Sequence, residues 1–424
     1  MESFAQALNY GIPFFLVLIM IETIYAHFFA KDKIRSMDAI SSISSGLTNI
    51  LQSVLGLTIF IITYDFIQQH IALFDLKPSI AVFVLTFVYK DFAGYWKHRF
   101  EHSVNYFWNH HIVHHSSEEF NLPCALRQSI SEIIDTGIFF IFPLAIIGVP
   151  TEVLAIVAPI HLFAQFWYHT RYIDRMGVLE KVIVTPSHHR VHHAINPIYI
   201  DKNYGQIFIV WDKMFGTFQP ELEEEPAVYG VKKASNTWNP FLINFQHLWL
   251  LIKDAWRAGS YIDKLKIWFM PTGWRPKDVA EKYPIEIIDD VYTQVKYDTN
   301  ASVGLTVWSY FQLVFHLGLM LYLFNNLSMI GKPDIFILGA FIFFSIFSYT
   351  TMMDKKFYAL PMEMAKSIYG LVIIAIYSDF FFINQFISFG SVIMATYFVL
   401  SIITAAYFVL YEFRKEHQME KIVA

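Results

Sequence analysis

The sequence predicts an all-α fold, a polytopic integral membrane protein with about nine transmembrane helices and a cytosolic cap. Three observations predict it. Hydrophobic residues fill 55% of the 424 positions and charged residues only 16%, against roughly 25% charged in a soluble domain. Several apolar runs reach the ~20 residues that a helix needs to cross a bilayer. Lysine and arginine then concentrate in every second loop, as the positive-inside rule requires of a chain that alternates sides. The first observation excludes a soluble enzyme. The net charge of -5 supplies no basic surplus for a nucleic-acid partner, and a single cysteine, Cys124, excludes an intramolecular disulfide and a CxxC site.

In chain order the spans fall at residues 10–30, 43–64, 79–96, 131–149, 152–169, 303–324, 334–353, 365–386 and 391–411. Lys31, Lys33 and Arg35 follow the first run instead of preceding it, and no small-residue cleavage site appears, so it is a retained span and not a signal peptide. Those cations place its far end in the cytosol and the N-terminus outside. Spans three, five, seven and nine must then end inside. They run into Lys97 and Arg99, into Arg171, Arg175, Lys181 and Arg190, into Lys355 and Lys356, and into Arg414 and Lys415. The outer loops hold only Lys77 and Lys332, so the expected topology is N-out and C-in. The hydrophilic stretch between His169 and Val303, with an acidic run at 221–225, forms the cytosolic cap. Within it, residues 249–274 mix Trp, Phe, Lys and Arg, which suits either an interfacial amphipathic helix or a helix packed on the cap.

The 17 histidines are not scattered. Three clusters, His98-Arg-Phe-Glu-His102, His111-Ile-Val-His114-His115 and His189-Arg-Val-His192-His193, each fall at a predicted membrane–cytosol boundary. Positions four apart differ by about 40° around a helix, so His98 and His102 share a face. Each HxxHH cluster fans three imidazoles over roughly 100° of one face, enough to hold one metal or bridge two. In the fifth span His161, Gln165 and His169 recur every four residues, with His169 level with the clusters and His161 about 12 Å deeper. A lone histidine is ordinarily a satisfied core or surface group. His27, His70, His247, His316 and His417 are read so, and His161 is read as structural. Eight histidines in three spaced motifs on one membrane face have no packing use, and polar groups at such depth are costly unless functional. They predict a metal site. Zinc takes four ligands, which leaves too many histidines for one ion, so a dinuclear site follows and the cap is a histidine-rich di-metal cap. Imidazole suits iron, zinc, copper or nickel. The Glu and Glu-x-x-His pattern of soluble di-iron bundles is absent.

The order HxxxH, HxxHH, HxxHH over residues 91–220 resembles the fatty acid hydroxylase and sterol desaturase superfamily of membrane di-iron oxygenases. Longer strings narrow the likeness: HIVHHSSEEFNLPCALRQS from His111, TPSHHRVHH from Thr185, YIDKNYG from Tyr199, WDKMFGTF from Trp211 and QFWYHT from Gln165. All resemble the alkylglycerol monooxygenase branch, as do the extra C-terminal spans. The resemblance divides the chain into a membrane-embedded catalytic domain with its cap over 1–300 and a C-terminal four-helix region over 301–424. It implies that His98, His102, His111, His114, His115, His169, His189, His192 and His193 bind two iron ions, with the di-metal centre itself as the catalytic group and O2 as co-substrate. Gln165, His110, His188, Glu118 and Asp201 are expected to support those ligands, Gln165 as a hydrogen-bond partner or weak ligand. The branch uses tetrahydrobiopterin. Ser103 stands where its animal members carry a Glu after the second HxxxH histidine, and Glu101 is expected on another face. Turnover is therefore expected to be supported by an electron-donor protein at least as well as by the pterin.

The implied function is hydroxylation of a lipid C–H bond, foremost cleavage of alkylglycerol ethers to a fatty aldehyde and a glycerol derivative. The alternatives are a hydroxylase or desaturase of another lipid (fatty acyl, sterol or carotenoid), a di-zinc membrane hydrolase, and a histidine-lined metal transporter. A transporter would spread polar residues through mid-membrane, and a hydrolase would offer an HExxH arrangement; neither pattern appears. The expected membrane is a bacterial inner membrane, since no retrieval string precedes Ala424, with the endoplasmic reticulum as the eukaryotic counterpart.

Overall fold

Long apolar stretches become long helices in the computed structural model, which describes residues 2–423. The membrane-facing part begins with α1 (Glu2–Phe28), α2 (Ser36–Leu55), the short α3 (Tyr64–Ile71) and α4 (Ile80–Ser103), after which α5 (Asn105–His115) and the single turn α6 (Leu122–Ala125) lead to α7 (Ile138–Ile147) and α8 (Thr151–Phe163). The cap holds α9 (Pro186–His193), α10 (Val210–Phe215), α11 (Pro240–Arg257), α12 (Tyr261–Lys266) and α13 (Lys277–Lys282). The chain ends in α14 (Val303–Asn325), α15 (Leu327–Ile330), α16 (Asp334–Met353), α17 (Ala359–Tyr377) and α18 (Gly390–Tyr407), the last continued by a π-turn and a polar helix. The described residues form no named strand.

Five helices are long and apolar enough to cross a membrane: Leu8–Phe28, Val303–Asn325, Asp334–Met353, Ala359–Tyr377 and Gly390–Met419. They match the first and the last four expected spans. The remaining four differ from expectation for physical reasons. The third is a 24-residue helix, α4, which carries Lys90, Asp91, Lys97, Arg99 and Glu101 and so exceeds the charge of an ordinary span. The second and fourth form one unit. α2 is mostly buried against protein and presents Ser45, Asn49 and Gln52 to a non-helical segment at 128–130, donating to Gln128 O (2.7 Å), Ser129 O (2.6 Å) and Ile130 O (3.3 Å). Buried irregular backbone needs partners for its polar groups, and these side chains supply them. What remains of the fourth span is α7, ten residues and about 15 Å long, and the fifth contains α8, 13 residues and about 20 Å. Gly148 joins them at φ 95°, where a Cβ would strike Phe74 O.

The C-terminal helices pack on α2 and on one another around Leu323, Leu338, Ile342, Tyr349 and Phe398. Inside that bundle Lys366 Nζ sits 2.5 Å from Glu363 and donates to Tyr397 OH (2.9 Å), which donates to Gln312 Oε1 (2.7 Å). Charge in such surroundings persists only when paired, and here three helices share the pair.

Candidate metal centre

α4 presents His98 and His102 on one face, as their spacing requires. α5 and α9 each carry an HxxHH cluster, α9 starting at Pro186 in its first turn, where a missing N–H costs nothing. These helices converge on one another. All nine expected ligands converge in two groups, His98, His102, His111, His115 and His192 in one, and His114, His169, His189 and His193 in the other, with one ligand atom per residue lying within 4.8 Å of the others in its group. The rings of His115 and His193 stack 4.3 Å apart and so partition the two groups.

The nitrogens aim inward. His111 Nε2 lies 2.8 Å from His98 Nε2 and 3.0 Å from His115 Nε2, which is itself 3.0 Å from His192 Nε2. In the second group His169 Nε2 lies 3.2 Å from His114 Nε2 and 2.8 Å from His189 Nε2, and His193 Nε2 lies 3.0 Å from His189 Nε2. His102 Nε2 is buried without a partner. Several of the opposite ring nitrogens are committed elsewhere: Nδ1 of His98 donates to Tyr204 O (2.8 Å), of His169 to Gln165 O (3.0 Å), of His192 to Lys202 O (3.0 Å) and of His114 to Arg127 O (3.3 Å). That fixes the tautomer with its proton on Nδ1 and turns the Nε2 lone pairs toward a common point, the arrangement a cation requires. The donor set therefore fits two metal ions with imidazole ligands.

Burial, and then the neighbouring imidazoles, push His111, His115, His189, His192 and His193 well below the usual histidine range. Burial also lowers His114, to about 4. Neutral imidazole is the form that ligates, so the groups are ready for metal at neutral pH.

The expected supporting residues divide. Asp201 lies 3.6 Å from His102 Nδ1. Gln165 gives its side-chain N–H to His161 O (3.0 Å) and Nδ1 (3.1 Å), while its backbone carbonyl takes the His169 Nδ1 proton. The uninterrupted helical stripe expected through His161, Gln165 and His169 is absent, because α8 ends at Phe163 and a turn carries His169. His161 pairs with Asp91 at 2.9 Å. His110 is buried outside both groups with both ring nitrogens unpartnered, and His188 turns to Thr185 and Phe218. Glu118 belongs instead to the cap, where it accepts from Tyr297 N (2.6 Å). Two placements correct the sequence reading. Glu101, expected on another face, lies 3.8 Å from His111 Nδ1. Ser103 is exposed, its hydroxyl donating back to Arg99 O (2.6 Å).

Sequence reasoning missed the residues that hold the ligands' partners. Asp91, two helical turns before His98 on the same face, accepts from Ile207 N (2.8 Å), Phe208 N (3.1 Å) and Trp211 Nε1 (2.8 Å) as well as His161. Asp212 holds Tyr204 N and Gly205 N, both at 2.7 Å, and so sets the carbonyl that His98 uses. Buried Arg127 binds Asp38 (2.9 Å), Ser42 and Ser116, tying α2 to the His114 partner. Glu22 of α1 accepts from Leu122 N (2.7 Å) and Thr170 Oγ1 (2.6 Å), beside His169. The i, i+7 spacing of Asp91 and His98 was a legible signal; the others gave none.

The fatty acid hydroxylase family model matches residues 83–217, the stretch that supplies all nine histidines. The alkylglycerol monooxygenase of Homo sapiens is 33% identical over 375 residues, 88% of this chain and 83% of that protein. The chain belongs to the alkylglycerol monooxygenase family. The enzyme of that name from Danio rerio is 30% identical over 87% of this chain and 82% of its own. An ornithine lipid hydroxylase of Rhizobium tropici is 30% identical over 34% of the chain and 44% of its own length. No solved structure matches. Family membership and the five long apolar helices make this an integral membrane oxidoreductase of the lipid monooxygenase class.

Proposed function

We propose that the chain is a di-iron monooxygenase that cleaves alkylglycerol ethers. The carrying observation is the pair of convergent imidazole groups, five and four strong, in which the Nδ1 protons of His98, His114, His169 and His192 are tied to carbonyls. Iron bound there would supply O2 activation and the oxidising power to break a C–H bond. The chain's part is to hold nine nitrogens in register, to exclude water with Phe120, Tyr168, Trp108 and Tyr204 packed against the imidazoles, and to present the carbon beside the ether oxygen, where the C–H bond is weakest. One oxygen atom enters that C–H bond; the other leaves as water with two electrons and two protons from the reductant. The hemiacetal formed breaks its C–O bond to give a fatty aldehyde and a free glycerol hydroxyl. An amphipathic substrate suits a site at the end of α4, since its tail stays in the apolar layer while its head reaches the cap. In this reading the centre faces the cytosol, with N-out and C-in topology, and an electron-donor protein or tetrahydrobiopterin supplies the electrons. The test is metal analysis of the purified protein together with incubation with a 1-O-alkylglycerol. About two irons per chain and aldehyde release are expected. Zinc in place of iron, or hydroxylation of an acyl chain with the ether left intact, would overturn the assignment.

A further inference from the structure

α11 is two-faced. Ile243, Asn244, His247, Leu251 and Asp254 point into the protein, whereas Trp249, Ile252 and Trp256, spaced three and four apart, form an outward stripe. α12 and the residues after it extend that stripe with Leu265 and Phe269, Trp256 being 84% and Phe269 75% exposed. Lys253, Arg257, Lys264 and Lys266 flank it. Contiguous exposed apolar surface rimmed by cations marks an interaction site, and aromatic, aliphatic and basic residues together are the composition of a helix lying in the headgroup layer.

The depth of this stripe follows from hydrogen bonds. α4 starts at Ile80 and rises 1.5 Å per residue, so by Phe100 it has climbed about 30 Å, the thickness of the hydrocarbon layer. The turn after it, at 103–106, then lies at headgroup level. Residues 268–273 are pinned to that turn: Asn105 N donates to Met270 O (3.0 Å), Tyr106 N to Trp268 O (3.0 Å), Thr272 N to Ser103 O (3.3 Å), Thr272 Oγ1 to His102 O (2.5 Å) and Gly273 N to Asn105 Oδ1 (2.9 Å). Phe269 therefore projects at the level where the bilayer surface begins.

We infer that α11, α12 and the segment after them form an interfacial foot that seats on the anionic headgroup layer of the membrane the chain itself spans. Through the bonds to His102, Ser103, Asn105 and Tyr106, the leaflet surface bears on the turn that joins the two histidine helices α4 and α5. The inference needs α4 to cross the bilayer and is independent of which lipid is oxidised.

The test places nitroxide labels on the full-length protein in nanodiscs of phosphatidylcholine with about one-quarter phosphatidylglycerol. Cys124 is fully buried, so cysteines introduced as Trp256→Cys and Leu265→Cys can be labelled selectively. Val84→Cys, on the exposed apolar side of α4, serves as the bilayer reference, and Lys277→Cys as the aqueous one. Labels at 256 and 265 are expected to show at least about threefold higher accessibility to O2 relative to a water-soluble nickel chelate than the label at 277. Equality with 277 overturns the foot. Exclusion of both reagents overturns it too, since a second protein surface would then cover the stripe. A water-exposed label at 84 removes the depth reference and the inference with it, while leaving the oxygenase reading intact.

Discussion

Five imidazoles converge in one group and four in the other, so on the di-metal reading proposed above the two sites should not be equally tolerant of loss. His189→Ala leaves three ligands in its group, and iron should fall from about two to about one per chain; His192→Ala leaves four and should lose less metal. Equal losses, read by metal analysis, would contradict the five-and-four division. The exposed His70, bonded only within its own helix, should change neither metal nor rate when replaced by Ala. Ser103 faces solvent, so a carboxylate there cannot act as a charge against the metals. Ser103→Glu should shift the KM for tetrahydrobiopterin and leave the iron spectrum unchanged; an altered spectrum would return position 103 to the centre. Acid is the third probe. The buried imidazoles of α5 and α9 are neutral in the folded chain, His114 down to about 4, but take protons near 6.5 once unfolded. The unfolded state thus binds more protons between those values. Stability of the metal-free protein is whole above about pH 6.5 and falls as pH drops toward 4, by ~1.4 kcal/mol per pH unit for each such histidine. Metal does not remove this dependence, because the unfolded, metal-free chain still takes up those protons, and His110 and His188, each held by burial near 4, add to it with or without iron. Melting curves of the iron-bound protein should therefore lie above those of the metal-free protein at neutral pH and fall at least as steeply with acid, and iron that left the melting point unchanged would show that the histidines do not hold the ion.

At the scale of elements, the parts that were legible are those whose period matches their environment. Span seven ends where the sequence placed it, at Asp334–Met353, because an apolar run between polar ends leaves a helix no alternative. The segment 131–149 misled because its hydropathy was real but its backbone was not helical throughout; its early residues pair instead with Ile59, distant in sequence, whose N donates to Ile133 O (2.8 Å) and whose O accepts from Asp135 N (3.0 Å). No local pattern announces such a donation. The histidine motifs were readable because ligation demands spacing, whereas Tyr204 O and Lys202 O act through backbone atoms that any residue possesses. Asp91 joins α4 to the segment at 207–211 and to α8 by four hydrogen bonds. Leaving a buried donor unpaired costs about 1–3 kcal/mol, and Asp91→Ala, which strands several, should lower the melting temperature in detergent accordingly. It should also reduce iron occupancy, since His169 hangs from the same strut through Gln165. A melting point at the parent value would sink this account.

For the whole molecule, sidedness rests on cations that the fold leaves where the sequence put them. A reporter inserted beside Lys332 should read external and one joined after the polar C-terminal helix should read cytosolic; the same side for both would require another crossing. The Glu363–Lys366 pair has a consequence for biogenesis. Glu363 and Lys366 are one turn apart on α17, so they cancel within the helix that carries them, and α17 can leave the insertion machinery as an electrically neutral rod before its neighbour is translated. Gln312 has by then been delivered on α14, and Tyr397 arrives last, on α18, to close the bond between them. The ion pair therefore acts as a latch that the newest helix fastens. A nascent chain halted before α18 should already be membrane-inserted, yet remain open to protease in the α14–α17 bundle until the final helix is made.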